Sequence, residues 1–439
     1  MLDRSKKPNI IFENNISVPK TDKTTFSNGI DCYILPSTQE QICRIDLVIK
    51  TGKQDHENPL VPVFTSAMLK EGSKDYTAND IAERIDFHGA ILVTNTNVSH
   101  TVISLIALEK HVNKLLSIVR SIIFYPTFPE DRLKCLLDKG IAQFKTEQQK
   151  VNLISNQQLR ESIYGKNHPY SSHKELAYYE ISSDMLNDFH SKNYCSNNCT
   201  IVLSGFVNDS LVKYIEQTFG SEAWNKKNII EHTWLSETPK TGCIRIHHEG
   251  SLQTGISIGQ LSAPNNHPDS YSMQILTCVL GGYFGSRLNQ SIREEKGYTY
   301  GISAHIASYL NKAHFSINTR TKNEVAIETV AAIHDEINNL LQYPVSDEEL
   351  QTVRNLYITN IGTAFEHPLY ISDTLIGLLA NNLDFSYYTR FNQVLKTITP
   401  NELLNTAQKK RVKTKWRRIR RGFKRKKKTK KKKKKTKKK

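Results

Sequence analysis

Residues 125–133 read Tyr-Pro-Thr-Phe-Pro-Glu-Asp-Arg-Leu, and residues 343–350 read Tyr-Pro-Val-Ser-Asp-Glu-Glu-Leu. Each stretch separates two long segments that carry apolar residues at helical spacing. Proline interrupts a helix, and acidic residues are favoured where a new helix begins because they face its positive end. The two breaks therefore predict two copies of one helix-break-helix unit.

The segments around the two breaks follow the same order, with strand patterns before each helix pair. Such a repeat indicates gene duplication and predicts an α+β fold of two duplicated domains, each a mostly antiparallel sheet packed with helices. In the first half, strands are predicted at 30–35, 43–50 and twice within 90–108, with helices at 59–69, 77–88, 111–124 and from the break to about 151. In the second half, strands are predicted within 244–258 and 302–319, with helices at 269–280, 324–341 and after the second break. The predicted domains are 1–224 and 244–408, joined by a linker at 225–243 and followed by a tail at 409–439.

The ends of the two halves differ. In the first half, a predicted helix at 183–193 leads into Cys-Thr-Ile-Val-Leu-Ser-Gly at 199–205, a good apolar strand. In the second half, the matching helix at 400–407 leads into Lys-Lys-Arg-Val-Lys-Thr-Lys. Burying unpaired positive charge costs several kcal/mol. The terminal strand of the second half is therefore predicted to be missing or replaced.

The charge of the chain is concentrated at its end. Residues 409–439 hold 23 of the 60 Lys and Arg residues and no acid, so the remaining 37 face 43 acidic residues. This low-complexity run predicts a disordered tail. Because an A-rich stretch encodes lysine runs in a shifted frame, a frameshift or truncation is the favoured explanation. The alternative is binding to nucleic-acid phosphates or an anionic membrane surface, with Trp416 and Phe423 adding stacking or insertion.

Other classes of protein are disfavoured. The longest apolar runs are too short to cross a bilayer. Where a secretory signal needs a continuous apolar core, the chain has only Ile10 and Ile11 before Phe12, and Glu13 follows at once, so the cytoplasm is the expected location. Seven cysteines without a C-x-x-C pair indicate neither a disulfide framework nor a zinc ribbon, and Cys195 and Cys199 alone make a poor metal site.

Several separate stretches resemble one family. Together they are similar to signature stretches of the insulinase/pitrilysin zinc metallopeptidases, which include mitochondrial processing peptidase and its small bacterial relatives. The resemblance runs over roughly residues 20–408 and implies half of a clam-shaped chamber. The stretches are Asn-Gly-Ile-Asp-Cys-Tyr-Ile-Leu-Pro from residue 28, Met-Leu-Lys-Glu-Gly-Ser from 68, Tyr-Gly-Lys-Asn-His-Pro-Tyr from 164, Gly-Gly-Tyr-Phe-Gly-Ser-Arg-Leu from 281 and Arg-Glu-Glu-Lys-Gly-Tyr-Thr-Tyr-Gly from 293.

The resemblance implies a zinc motif, H-x-x-E-H, on the helix before Met68. Its histidines bind zinc and its glutamate activates the metal-bound water. Here Val63 and Ala67 replace the histidines and Ser66 replaces the glutamate. The family's further glutamate ligand would fall near 138–143, where only Asp138 is acidic. Neither H-x-x-E-H nor H-E-x-x-H occurs elsewhere, and the His247-His248-Glu249 cluster is interpreted as a half-exposed strand end, so no metal is expected in this chain.

A second feature implied by the resemblance is present. Active members use an arginine and a tyrosine seven residues apart to reach the substrate, and Arg293 and Tyr300 match that spacing. Arginine offers a planar fork of donors and tyrosine a hydroxyl, both suited to a substrate carbonyl or a developing oxyanion. The competing structural interpretation pairs Arg293 with Glu294 or Glu295 and places Tyr300 in the core.

Loss of the zinc motif with retention of Arg293 and Tyr300 resembles the division of labour in two-chain members of the family. The expected function is therefore a subunit without metal that supplies its substrate-binding pair to a zinc-bearing homologous partner for peptide hydrolysis, with a homodimer as a further possibility. Two alternatives stay open: a structural subunit like the core proteins of respiratory complexes, and a nucleic-acid-associated protein acting through its tail.

Overall fold

The computed structural model describes residues 17–37, 41–221, 224, 234 and 237–409. These residues fold around two β-sheets, each with its own apolar core, which confirms the predicted α+β class. The predicted linker at 225–243 lies largely outside the described residues, and so does the tail beyond Lys409.

The first sheet has six strands in the order β1-β2-β6-β3-β5-β4. Its central strand β6 runs parallel to β2 and antiparallel to β3, and every residue of β6 is buried. The other pairings in this sheet are antiparallel. The strands are β1 Asp22–Thr25, β2 Asp31–Pro36, β3 Ile42–Ile49, β4 Ile91–Thr96, β5 Thr101–Leu108 and β6 Cys199–Gly205.

Helices cover one face of the first sheet. The apolar side of α3 packs on the sheet through Val112, Leu115 and Val119, as expected for apolar residues at helical spacing. A capping box between Thr77 and Asp80 fixes the start of α2. The helices of this half are α1 Leu60–Met68, α2 Ala78–Phe87, α3 Glu109–Phe124, α4 Glu130–Glu147, α5 Val151–Tyr164, α6 Leu176–Tyr179, α7 Ser183–Asn193 and α8 Asp209–Ile215.

The second sheet has three described strands in the order β7-β9-β8, all antiparallel. The strands are β7 Gln253–Ser262, β8 Ile302–Tyr309 and β9 Lys312–Lys322, and the helices are α9 Ser270–Thr277, α10 Ala326–Gln342, α11 Asp347–Glu366, α12 Pro368–Leu379, α13 Ser386–Thr397 and α14 Pro400–Lys409. Two π-helical segments, Cys278–Gly282 and Asn289–Glu295, lie between α9 and β8. The order β7-β9-β8 repeats β3-β5-β4, which agrees with a duplicated fold.

Both predicted breaks fall between consecutive helices. The first separates α3 from α4, and the second separates α10 from α11. At the second break, the Ser346 hydroxyl accepts from the Glu349 backbone N–H and the Glu349 carboxylate accepts from the Ser346 N–H. These reciprocal bonds satisfy donors that an α-helix start otherwise leaves without partners.

Two sequence predictions need correction. The strand predicted within 244–258 begins only at Gln253, and residues 243–248 have no regular structure. The helix predicted to run to about 151 ends at Glu147, and a separate helix, α5, follows it.

The two halves pack through helices that cross between them. Helix α5 of the first half lies against β7 and β9, and α12 of the second half lies against β6 and β2. On the α12 side, the fully buried Asp46 accepts from the Ser372 hydroxyl at 2.6 Å and pairs with Arg44, which in turn reaches Asp373 at 2.6 Å. Among the described residues, no helix has the length and apolarity that crossing a bilayer requires.

Candidate functional site

Helix α1 carries the three positions that correspond to the zinc motif. Val63 and Ala67 are half-buried, and Ser66 is only 3% exposed. The Ser66 hydroxyl donates to the Val63 carbonyl at 3.0 Å and accepts from the Thr96 hydroxyl at 2.7 Å. Its hydrogen-bonding capacity is therefore used inside the protein, where it ties α1 to strand β4.

The helix facing α1 offers no metal ligand in compensation. On α4, Gly140 lies so close to α6 that a Cβ would be 2.7 Å from a Tyr178 ring carbon and 3.3 Å from the Phe64 ring. Phe64 and Tyr178 make an edge-to-face contact with ring centroids 6.0 Å apart. Asp138 is exposed to solvent. The side chains between α1 and α4 are thus aromatic at the point where the family places a carboxylate.

A histidine lies near this helix pair, but its ring contacts aromatic side chains. His173 lies 3.1 Å from the Tyr178 hydroxyl and packs on the Phe144 ring. Burial lowers the pKa of His173 to about 4, so it is neutral at pH 7. Across the described residues, no group of three His, Cys, Asp or Glu side chains is placed to hold a metal ion.

Arg293 and Tyr300 are brought together in the second half. The Arg293 Nε donates to the Tyr300 backbone carbonyl at 3.0 Å, and Nη1 lies 3.6 Å from Glu294. The guanidinium is stacked over the Phe284 ring, 4.1 Å from its centroid. The Tyr300 side chain is 87% exposed, so it does not belong to the core.

The aromatic partner of Arg293 was not singled out from the sequence. Phe284 is 66% exposed and lies in the glycine-rich stretch at 281–286, one of the stretches that carry the family resemblance. A cation seated on an aromatic face gains electrostatic attraction while its remaining N–H donors stay available. The only signal in the sequence was an aromatic residue between glycines a few residues before the arginine.

A hydrogen-bond network holds the backbone on both sides of Arg293. The Asn289 amide donates to the carbonyls of Tyr283 and Ile302, at 3.0 and 3.1 Å. The Thr299 hydroxyl donates to the Arg320 carbonyl at 2.8 Å. The chain before and after the Arg293–Tyr300 pair is thereby fixed to the second sheet.

The remaining polar clusters have structural surroundings. His247-His248-Glu249 lies where the chain has no regular structure, which corrects its interpretation as a strand end, and His248 Nε2 is 3.3 Å from the Gln148 carbonyl. Cys195 and Cys199 are both buried, and burial raises the pKa of the Cys199 thiol well above its usual range. Neither cluster contributes to the Arg293–Tyr300 surface.

Fold and site together define a peptidase-like chain of two similar halves. The first half has a helix without zinc ligands, and the second has a half-buried arginine bonded to the backbone of an exposed tyrosine. Family comparison agrees with this class. Residues 33–173 match the model of the insulinase family, peptidase family M16, and residues 180–357 match the model of the peptidase M16 inactive domain. The chain belongs to the insulinase family, M16.

Individual relatives are distant but cover most of the chain. It is 24% identical over 334 residues to the Bacillus subtilis protein called uncharacterized zinc protease YmxG, covering 74% of this chain and 80% of that protein. It is 22% identical to a Helicobacter pylori protein called non-peptidase homolog YmxG, covering 75% of each. The crystal structure of a peptidase M16 inactive domain from Pseudomonas fluorescens superposes with a TM-score of 0.78 at 24% identity, covering 89% of this chain and 95% of that chain.

Proposed function

We propose that this protein is the subunit without metal in a two-chain M16 peptidase. It supplies Arg293 and Tyr300 to a peptide held at the zinc site of a homologous partner. The observation that carries the proposal is the contrast between the two sites: Val63, Ser66 and Ala67 provide neither ligands nor base, while the half-buried Arg293 bonds to the Tyr300 carbonyl and the Tyr300 side chain is 87% exposed.

The geometry of the pair suits peptide binding. Arg293 uses Nε for the Tyr300 carbonyl, while its Nη1 is buried and has no hydrogen-bond partner among the described residues, so one donor of the guanidinium is unsatisfied. Its nearest acid, Glu294, is on the same segment and half-exposed, so that ion pair contributes little and is readily exchanged. An arginine and a tyrosine hydroxyl placed beside a peptide carbonyl stabilise the negative charge that develops on its oxygen. They supply no nucleophile, so a zinc-bound water must come from the partner.

The proposed partner follows from what this chain lacks. It would carry an intact H-x-x-E-H helix, and zinc would be its cofactor and not this chain's. Both chains would share one compartment, for which we propose the cytoplasm. The relative called a non-peptidase homolog supports a role without autonomous hydrolysis.

The test is reconstitution with an M16 homologue from the same genome that has the intact motif. The purified chain alone is expected to show no peptide hydrolysis, and the mixture is expected to hydrolyse a fluorogenic peptide. Arg293→Ala is expected to lower kcat/KM of the mixture by about 100-fold, the loss typical for one donor to a developing oxyanion. Tyr300→Phe is expected to lower it less, since it removes a single hydroxyl.

Two matched variants serve as controls. Arg390→Ala removes an exposed arginine from α13, and Tyr343→Phe alters a tyrosine that is 62% exposed. Both substitutions should leave kcat/KM of the mixture unchanged. An active mixture whose rate is insensitive to Arg293→Ala and Tyr300→Phe would instead favour a structural subunit, and turnover by the isolated chain would contradict the proposal altogether.

A further inference from the structure

Arg160 carries a positive charge that no described residue neutralises. It lies half-buried on α5, the helix that packs against β7 and β9 of the second half. Its Nε is enclosed and has no hydrogen-bond partner among the described residues, and the guanidinium forms no ion pair with any of them. Because a guanidinium stays charged at every physiological pH, enclosing it without a counter-charge lowers the stability of the chain.

The surroundings of Arg160 follow from its place on α5. It lies one helical turn before Tyr164, so the two side chains share a face of the helix. That face meets the end of the second sheet, where the Tyr164 hydroxyl is 3.0 Å from His314 Nδ1 and the ring centroids of Tyr164 and Tyr309 are 6.2 Å apart. Burial raises the pKa of Tyr309, and the charge of Arg160 opposes that rise, so the guanidinium lies near the Tyr309 hydroxyl.

A second cation, Lys53, lies near Arg160 on the segment after β3. The next residue, Gln54, donates its N–H to the Val98 carbonyl at 3.0 Å, and Val98 packs against the aromatic cluster of Tyr164. Lys53 is half-buried and forms no ion pair with a described residue. Burial lowers the pKa of Lys53, and the charge of Arg160 lowers it further. The two cations therefore repel each other.

Other titratable groups in this region do not compensate the two cations. None of the neighbouring acids forms an ion pair with Arg160 or Lys53; Asp55, Glu147 and Glu161 accept hydrogen bonds from Gly52, Gln143 and Gln157, respectively. Burial, and then the charges of Lys53 and Arg160, lower the pKa of His173 to about 4, so this histidine is neutral at pH 7. The region therefore holds two unneutralised positive charges.

We propose that Arg160 and Lys53 form a binding site for a carboxylate of a peptide. The guanidinium offers a planar pair of donors that matches a carboxylate, and Lys53 adds a second positive charge. Because His173 and His314 are neutral at pH 7, the site suits a singly charged carboxylate better than a doubly charged phosphate. The bound carboxylate would supply the counter-charge that the described residues do not.

The peptide as the source of the carboxylate rests on the proposed function, whereas carboxylate binding itself does not. The site lies beside the helix pair α1 and α4, since the His173 ring packs on Phe144 of α4. A peptide chain can present a carboxylate at its C-terminus or on an acidic side chain. Both sources share the chemistry that the two cations recognise.

Thermal unfolding of the full chain at constant ionic strength tests the proposal. The probes, each at about 20 mM, are N-acetyl-Ala-Ala with a free C-terminus, N-acetyl-Asp-Ala amide and the uncharged N-acetyl-Ala-Ala amide. A ligand that binds only the folded chain raises its Tm. At least one of the two acids is expected to raise Tm by about 2 °C or more, and the uncharged amide should not. The acid that gives the larger shift identifies the source of the carboxylate.

Variants of the chain assign the shift to this site. Arg160→Met keeps the apolar stem but removes the charge, so it should abolish the shift. Without a probe, its Tm should equal or exceed that of wild type, because the repulsion with Lys53 is removed; a purely structural arginine would give a lower Tm. Arg160→Lys should retain a smaller shift. Arg390→Met, at an exposed arginine on α13, is the matched control and should retain the full shift.

Lys53→Met provides the same test from the other cation, should Arg160→Met fail to fold. The proposal is overturned if neither acid raises Tm, or if the shift persists in Arg160→Met or Lys53→Met. A larger shift with inorganic phosphate than with either acid would also overturn it, because the site would then belong to another class of anion. These measurements need no partner and no hydrolysis, so failure of this site is distinguishable from failure of the proposed function.

Discussion

Arg287 and Glu349 form a bidentate pair that joins the glycine-rich stretch to the start of α11. The two donor–acceptor distances are 2.6 and 2.8 Å, from Nε and Nη2 to the two carboxylate oxygens. The same carboxylate accepts the Ser346 N–H in the capping box. The hydrogen bond from Arg287 is the largest cause that holds the pKa of Glu349 below its ordinary value of 4.5. One side chain therefore stabilises both the loop that carries Phe284 and the helix that follows the second break.

Glu349→Gln is expected to lower the free energy of unfolding by about 1–2 kcal/mol at pH 7, because a charge-assisted bidentate bond becomes a neutral one. A lowered carboxyl pKa gives stability that is present above the unfolded value and lost as pH falls through the folded one. The difference in free energy of unfolding between Glu349→Gln and wild type should thus be constant above about pH 5 and shrink below pH 4.5. Urea unfolding across this pH range measures that difference. Glu348→Gln, at an exposed neighbouring position, should differ little from wild type, and an equal loss in both variants would refute the explanation.

Secondary-structure elements with strong local patterns were predictable from the sequence. Helix α7 and strand β6 occupy the residues expected for them, because α7 carries apolar residues at helical spacing and β6 is a short continuous apolar run. Helix α5 was missed because its sequence, Val-Asn-Leu-Ile-Ser-Asn-Gln-Gln-Leu-Arg, lacks a strong apolar face. It is held partly by polar contacts with the other half, such as the 3.0 Å bond between Ser155 and Ser257.

Pairing between elements was less predictable than the elements themselves. Residues 244–248 have the alternation of a strand, but a strand also needs a neighbour, and no described strand pairs with this segment. The π-helical backbone at 289–295 has no simple periodic signal either. The sequence therefore located Arg293 and Tyr300 but not the Phe284 ring on which Arg293 rests, since that contact depends on the irregular backbone around it.

Glycine permits the close packing of α5 on β7, and its replacement tests that contact. A Cβ on Gly255 would lie 2.1 Å from the Val151 carbonyl oxygen, a backbone atom that cannot rotate away. Gly255→Ala should force α5 and β7 apart and destabilise the chain by about 1–3 kcal/mol, the usual range for overpacking. Thermal unfolding measures the change.

The matched control lies on the helix that crosses in the opposite direction. Gly377 on α12 has no atom within 4 Å of an added Cβ. Gly377→Ala should be neutral or stabilising by up to about 1 kcal/mol, since alanine favours the helix. Equal effects of the two substitutions would show that α5 does not depend on the absence of a side chain at 255.

At the scale of the whole molecule, polar groups that are buried hold the two halves together. The Tyr164 hydroxyl lies 3.0 Å from His314 Nδ1, and Lys312 Nζ lies 3.2 Å from His168 Nε2. His314 is 2% exposed and His168 is 6% exposed. No sequence pattern predicts such contacts, because each joins residues far apart in the chain whose types are common on surfaces. They also make the junction sensitive to protonation.

Burial lowers the pKa of both His168 and His314 to about 4. The charge of Lys312 lowers the pKa of His168 further. The charges of His305 and Arg160 do the same for His314. A histidine with a lowered folded pKa binds its proton more readily when unfolded, so its stability contribution is full above the unfolded pKa of 6.5 and is lost as pH falls toward 4.

Acid should therefore separate the two halves first. The free energy of unfolding should fall by up to about 1.4 kcal/mol per pH unit for each histidine. Protection of backbone amides, measured by hydrogen exchange and corrected for the intrinsic rate at each pH, should fall between pH 7 and 5 in α5 and β9 before it does in β3. His314→Gln keeps an acceptor for Tyr164 but cannot titrate, so its stability should fall less steeply with acid than that of wild type. His267→Gln, at an exposed histidine, should follow the wild-type curve, and a curve for His314→Gln that coincides with it would exclude the junction as the acid-sensitive part of the molecule.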